Sequence, residues 1–185
     1  MRKEKDSMGY VEVPDDVYYG AQTKRASKNF TISTTNIPLE LIYAIAIIKR
    51  SAAIVNHSLN KLDLKIKDSI VAASDEIINQ KLDNNFILDV YQTGSGTSTN
   101  MNVNEVIANR ANEMLGSKLG LNNPVHPNDH VNMGQSSNDV IPSAIHIASK
   151  IAISQKLIPS LTLISSELDK KTKEFDSVIK IGRTH

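Results

Sequence analysis

Gly94-Ser95-Gly96-Thr97-Ser98-Thr99-Asn100-Met101-Asn102-Val103-Asn104-Glu105 is a Gly-rich turn running straight into an apolar helical pattern. Val103, Ile107, Ala111 and Met114 follow at spacings of three and four, so the stretch reads as a turn and then a helix ending near Gly116. Such a turn lets backbone N–H groups and hydroxyls converge on an anion at the helix N-terminus. It is not a P-loop, since no Gly-Lys-Ser/Thr follows at the required spacing. Asparagine is a poor helix former. Asn100, Asn102 and Asn104 at a helix start therefore predict side chains used for hydrogen bonding.

Helical patterns flank this stretch on both sides. Upstream, Pro38 suits the first turn of a helix, where its missing N–H costs nothing. Leu41, Ile45, Ile48, Ala52 and Val55 then form an apolar stripe, and Ile66, Ile70, Ala73 and Ile77 form a second. Residues 1–37 read as irregular, punctuated by Gly9, Pro14 and Gly20, with a short strand possible around Val11 and Val13. Downstream, 116–134 reads as a polar loop. From Asn138 a long helical pattern runs through Ile141, Ala144, Ile147, Ala148, Ile151, Leu157, Leu161, Ile164 and Leu168. Pro142 is expected in its opening turn and Pro159 at a kink. Strands are nearly absent, so the fold class is mainly α. The long apolar stripe needs partners, which predicts self-association or packing against further chain.

Two later segments repeat the chemistry of the turn. His126-Pro127-Asn128-Asp129-His130 leads to Gln135-Ser136-Ser137-Asn138-Asp139, and the chain closes on Gly182-Arg183-Thr184-His185. Two serines and an asparagine exceed what one N-cap requires, and N–H groups at that helix start attract a carboxylate. His126 and His130 lie four apart, but Pro127 argues against a regular helix through them and no third ligand is evident, so no metal is expected. His57 and His146 sit within helical patterns and read as structural or surface residues. Histidine is the side chain best suited to move protons near neutral pH, which draws attention to His185. Together these segments imply a site for a small carboxylate with a histidine beside it.

The bulk numbers exclude other classes. A chain of 185 residues holds one domain, or one and a fraction. A net charge of +1, with basic and acidic residues intermixed, gives no argument for nucleic acid. Without cysteine there is no disulfide, thiolate catalysis or cysteine zinc site. No apolar run reaches the roughly 18–20 residues of a membrane span. The N-terminus carries both charge signs and no apolar core of a secretory signal, so a cytoplasmic protein is expected.

The same motifs carry a resemblance. The chain resembles class II fumarase, of the fumarase/aspartase superfamily, over essentially all of its length. The matching residues are Gly20-Ala21-Gln22-Thr23 with Arg25, Thr93-Gly94-Ser95-Gly96-Thr97, Asn100 to Val106, and Ala108-Asn109-Arg110-Ala111. They continue through His126-Pro127-Asn128-Asp129, Gln135 to Asp139, and Lys180-Ile181-Gly182-Arg183-Thr184-His185. Aspartate ammonia-lyase shares the fold, but Gln22, His126 and His185 each favour fumarase.

The resemblance implies an N-terminal lyase domain over 1–138 and the first segment of a central helical bundle over 139–185. It implies reversible hydration of fumarate to (S)-malate in the tricarboxylic acid cycle, with no metal or organic cofactor, in a homotetramer. Ser95 and Thr97 with the Gly96 backbone would hold the dicarboxylate, as would Ser136, Ser137 and Asn138. Thr184 and His185 would lie at the reacting end, with His185 the catalytic residue placing or activating water. His126, Asn128 and Asp129, with the Pro127 backbone, would match a second dicarboxylate site nearby. The family's chain continues beyond position 185 to supply a serine base, a lysine, an asparagine and the acidic partner of the histidine. The 185-residue chain alone is therefore expected to be inactive or nearly so. An ammonia-lyase and a non-catalytic helical interaction fragment are the alternatives.

Overall fold

A computed structural model describes residues 1–184. Strands β1 (Arg2–Asp6) and β2 (Gly9–Val13) form an antiparallel hairpin, with Arg2 opposite Val13 and Asp6 opposite Gly9. Among the described residues six α-helices follow: α1 (Ala21–Asn29), α2 (Leu39–Ser58), α3 (Leu64–Ile78), α4 (Thr97–Met114), α5 (Ser137–Ala152) and α6 (Ile158–Glu174). The mainly-α expectation holds. Contacts divide the chain into two units, Met1–Ala148 and Ser149 onward. The division falls inside α5.

The first unit is organised around α4. Of its 18 residues, 13 are buried, so it is a helix surrounded on all sides rather than an amphipathic surface helix. Val103, Val106, Ile107 and Ala111 meet Ile42 and Ile45 of α2 and Ile70, Ala73 and Ile77 of α3 in one core. Arg110 of α4 forks onto the Glu76 carboxylate of α3, Nε to Oε2 at 2.6 Å and Nη2 to Oε1 at 2.8 Å. That pairing holds the Glu76 carboxyl below its ordinary range.

The polar residues of α4 hold the chain around it. Asn102 donates to Asn85 O at 3.0 Å, and Asn109 to Tyr18 O at 2.8 Å. Asn112 exchanges two bonds with the Val125 backbone, at 2.8 and 2.7 Å. Glu105 accepts from the amides of Gly20, Gln22 and Thr23 at 2.9–3.0 Å and from Thr23 Oγ1 at 2.6 Å. Those amides belong to the first turn of α1, which has no side-chain cap of its own at Gly20. Glu4 of β1 takes the Ala21 amide at 3.0 Å. A Cβ at position 20 would lie 2.7 Å from Glu4 Oε2 and 2.9 Å from the Glu105 carboxyl, so only glycine lets both carboxylates approach.

Several sequence expectations change here. The segment 1–37 is a hairpin and a helix, not an irregular lead. α1 escapes the sequence because its N-terminus is capped by a residue 85 positions away, a tertiary signal with no local trace. The buried face of α2 runs through Ile42, Ile45, Lys49 and Ala53 instead of the expected stripe, and Val55 is exposed. Met114 lies at the exposed end of α4. Pro142 sits inside α5, in its second turn, not its opening one. At Pro159 the helix continues through a single π-turn, Ile153–Leu157, which accommodates the carbonyl that a proline N–H cannot satisfy. In the second unit Leu157, Leu161, Ile164 and Leu168 are all half or more exposed.

Glu105→Ala leaves the three α1 amides without their acceptor, at about 1–3 kcal/mol each. The expected loss is at least about 3 kcal/mol in urea unfolding, with Glu105→Gln losing less because its amide oxygen still accepts. An unchanged unfolding midpoint in Glu105→Ala would remove the capping role.

Candidate active site

The Gly-rich stretch forms a 3-10 turn, Gly94–Gly96, leading into α4. Ser95 and Gly96 both adopt left-handed backbone, with φ of 61° and 64°. A Cβ on Gly96 would lie 3.0 Å from Ile141 of α5, so this glycine serves both the dihedral and the contact. Gln92 Oε1 accepts from the Thr99 amide at 2.8 Å and from its hydroxyl at 2.9 Å, and the Thr93 and Ser98 hydroxyls pair at 2.6 Å. The turn is therefore pinned from both sides, while Ser95 and Thr97 stand exposed at its outer edge.

The histidine pair lies in a single turn, with no regular α-helix running through it. Pro127–Val131 is one π-helical turn with Pro127 at its first position and His126 as its N-cap. His126 Nδ1 accepts from the Asn128 and Asp129 amides at 3.3 and 3.2 Å. His130 Nδ1 accepts from the His126 amide at 2.8 Å. Each ring thus turns Nδ1 inward as an acceptor, which places the proton of the neutral ring on Nε2. Burial pushes the His130 imidazole below its ordinary value, with Asp129 opposing. Asn128 and Asp129 are exposed. Among the described residues no group of three or more His, Cys, Asp or Glu side chains clusters as a metal site would require.

Hydrogen bonds join these segments. Asn100, one turn into α4, donates from Nδ2 to Asn132 Oδ1 at 3.2 Å and to Ser137 Oγ at 3.0 Å. Asn132 closes the 127–131 turn and Ser137 opens α5. Lys49 of α2 reaches the same Asn132 oxygen with Nζ at 2.8 Å. Ser136 and Asn138 flank this point, exposed, and the Ser136 hydroxyl accepts the Asn138 amide at 3.3 Å. The segments around Gly96, Asn132 and Ser137 therefore adjoin, as their shared chemistry suggested.

A cleft of about 290 Å³ opens beside the turn, lined by Gln22, Arg25, Thr93, Thr97, Ser98 and Met101 among others. Arg25 is held in its wall by Asp6, at 2.7 and 3.1 Å, and by Gly9 O at 3.1 Å. Thr184 lies in irregular chain of the second unit, and His185 lies outside the described residues.

The pattern of the lyase family matches residues 9–185. The chain belongs to the lyase family. This lyase chain is 54% identical over 184 residues to the fumarate hydratase class II 2 of Bradyrhizobium diazoefficiens and to the fumarate hydratase class II of Campylobacter jejuni. The matches cover 100% of this chain and 39% and 40% of those proteins. A class II fumarase from Schistosoma mansoni superposes with a TM-score of 0.95 at 46% identity, over 100% of this chain and 39% of that one. A mitochondrial fumarate hydratase of Saccharomyces cerevisiae is 52% identical over 186 residues. The lyase chain thus spans about two-fifths of the length of the curated relatives it matches, corresponding to their N-terminal part. No helix among the described residues is long and apolar enough to cross a membrane.

Two residues of this hydrogen-bonded cluster were missed in the sequence, Lys49 and Asn132. A signal for Lys49 was present: it is the one charged residue at an interior spacing of the Ile42, Ile45, Ala53 face. Nothing local marks Asn132. Burial pushes the Lys49 amine down to about 7, below the roughly 10.4 of an exposed lysine. Between those values the unfolded chain holds a proton that the folded chain lacks, so stability rises with pH through that window. Lys49→Met is therefore expected to stabilise the protein most below pH 7, with the gain shrinking toward about pH 10. Urea unfolding of both proteins across this range checks it, and a gap independent of pH would contradict the shifted amine.

Proposed function

We propose that this chain is part of an enzyme that reversibly hydrates fumarate to (S)-malate, the class II fumarase reaction of the tricarboxylic acid cycle. The observation that carries the reading is that Asn100, one turn after the Gly94–Gly96 turn, bridges Asn132 and the start of α5 through hydrogen bonds that include no carboxylate. A site built from neutral donors suits a dianionic ligand. The identity of 54% to class II fumarate hydratases supports the same reaction.

In this reading Ser95, Thr97 and the Gly96 backbone bind one end of the dicarboxylate, and Ser136, Ser137 and Asn138 bind from α5. Thr184 and His185 act at the reacting end, where His185 places or activates the water. His126, Asn128 and Asp129, with the Pro127 backbone, form a second dicarboxylate site. Abstracting the proton next to a carboxylate builds a second negative charge on that carboxylate. Donors fixed in advance stabilise this charge more in the transition state than in the ground state. The chemistry needs no cofactor or metal.

The assembly is proposed to be a homotetramer. The exposed Leu157 and, on α6, Leu161, Ile164 and Leu168 favour association with other helices. A cytoplasmic setting belongs to the same proposal.

The test follows fumarate absorbance on the full-length protein, with aspartate deamination as the competing assay. Hydration without deamination is expected, and deamination alone would replace the reading with an ammonia-lyase. Ser137→Ala should lower kcat/KM by roughly 100-fold or more, the typical effect of losing one such donor. The 185-residue chain alone should show little or no turnover; full turnover by it would overturn the idea that it supplies only part of a site.

A further inference from the structure

Lys49 is the largest fully buried side chain among the described residues, with none of its surface exposed. Among the described residues it has no ion-pair partner, and one hydrogen bond runs from Nζ to Asn132 Oδ1 at 2.8 Å. The carboxylates on α3 and α4, the helices packed against α2, have other partners: Asp68 with Lys67, Asp75 with Arg50, Glu76 and Glu113 with Arg110, and Glu105 with the α1 amides. In the 127–131 turn, Asp129 lies beside His126, and His130 accepts the His126 amide. Burial alone lowers the proton affinity of Lys49. A buried amine without a counter-charge costs folding stability that an apolar side chain of the same length would not.

The amine sets the direction of every bond beyond it. Lys49 Nζ donates to Asn132, which presents its oxygen to the amine. Asn132 Nδ2 points the other way, to Gln135 O at 3.2 Å. Asn100 must then offer its NH₂ to the same oxygen, because its own carbonyl there would face another carbonyl. The result leaves Asn100 Oδ1 buried without a partner, a cost accepted to keep the NH₂ in place. The same NH₂ donates to Ser137 Oγ at 3.0 Å. With that oxygen accepting from Asn100, the half-buried Ser137 keeps its O–H for a partner other than Asn100.

We infer that Lys49 is a positioning residue for the lyase site: through Asn132 and Asn100 it fixes the Ser137 hydroxyl as a donor to a carboxylate oxygen of the substrate. This rests on the assignment of Ser137 to dicarboxylate binding made above.

The experiment is a double-mutant cycle in the full-length protein, measuring fumarate hydration and thermal unfolding. Lys49→Met should lower kcat by about tenfold, the scale of one hydrogen bond's net contribution, with little change in KM and with Tm unchanged or raised. Ser137→Ala added to Lys49→Met should cost far less than it does in the wild type, because both changes remove the same oriented donor. Lys49→Gln, one bond shorter and still able to donate, should recover part of kcat, and it serves for the cycle if Lys49→Met does not fold. Additive losses, unchanged kinetics, or a fall in Tm that accounts for the lost activity would each overturn the inference. A wild-type protein that does not hydrate fumarate would instead remove the functional reading, and this inference with it.

Discussion

A carboxylate buried in the first unit, bound among the described residues by amides and a hydroxyl, is the constraint on which the rest depends. Glu105 accepts four hydrogen bonds from the first turn of α1 and has no cationic partner among them. Burial pushes its carboxyl up, while those donors pull it down. The geometry needs a glycine at 20, a threonine at 23 and a helix start aimed at α4, so one side chain fixes the course of the N-terminal third. Asn102, Asn109 and Asn112 repeat the device on other faces, each taking loop backbone that would otherwise be buried unsatisfied. α4 is thus an unusual core helix. Its apolar side chains pack α2 and α3, and its polar ones replace the secondary structure that the loops lack.

This construction explains where the proposed donors stand. Ser95, Thr97, Ser136 and Asn138 lie at the ends of elements, exposed, yet the backbone beneath each is tied down. Gly96 packs on Ile141, Gln92 caps α4 through Thr99, and Asn100 bridges Asn132 and Ser137. Donors whose backbone is already fixed need little reorganisation when charge develops on a ligand. The two buried charges play opposite parts in this. Glu105 is satisfied by backbone and stabilises the fold, whereas Lys49 is under-satisfied and holds together the polar network that borders the site.

The helices were legible where a regular apolar period met a single buried face. α3 is the clear case, with Ile70, Ala73 and Ile77 all buried as their spacing requires. α2 was legible in existence but not in orientation, because its run of Ile and Ala offers apolar residues to several faces, and the buried one contains a lysine. α1 was not legible, since the partner that caps it is on another helix. The asparagines of α4 were read correctly as hydrogen-bonding side chains, but not as interior ones. Propensity describes an isolated helix, and here tertiary partners override it. The histidine segment follows its sequence: Pro127 argues against a regular helix through the pair, and the chain makes a single π-helical turn there with Pro127 at its first position.

The contrast between the two units follows from the same physics. In the first, nearly every apolar stripe finds a covering element and the buried polar groups are mostly paired. In the second, α6 carries leucines and isoleucines along its length without covering surface in this chain. The relatives are more than twice as long as this chain. Exposed apolar surface on that scale is a folding requirement left open, because it costs the same free energy in water whichever chain eventually covers it.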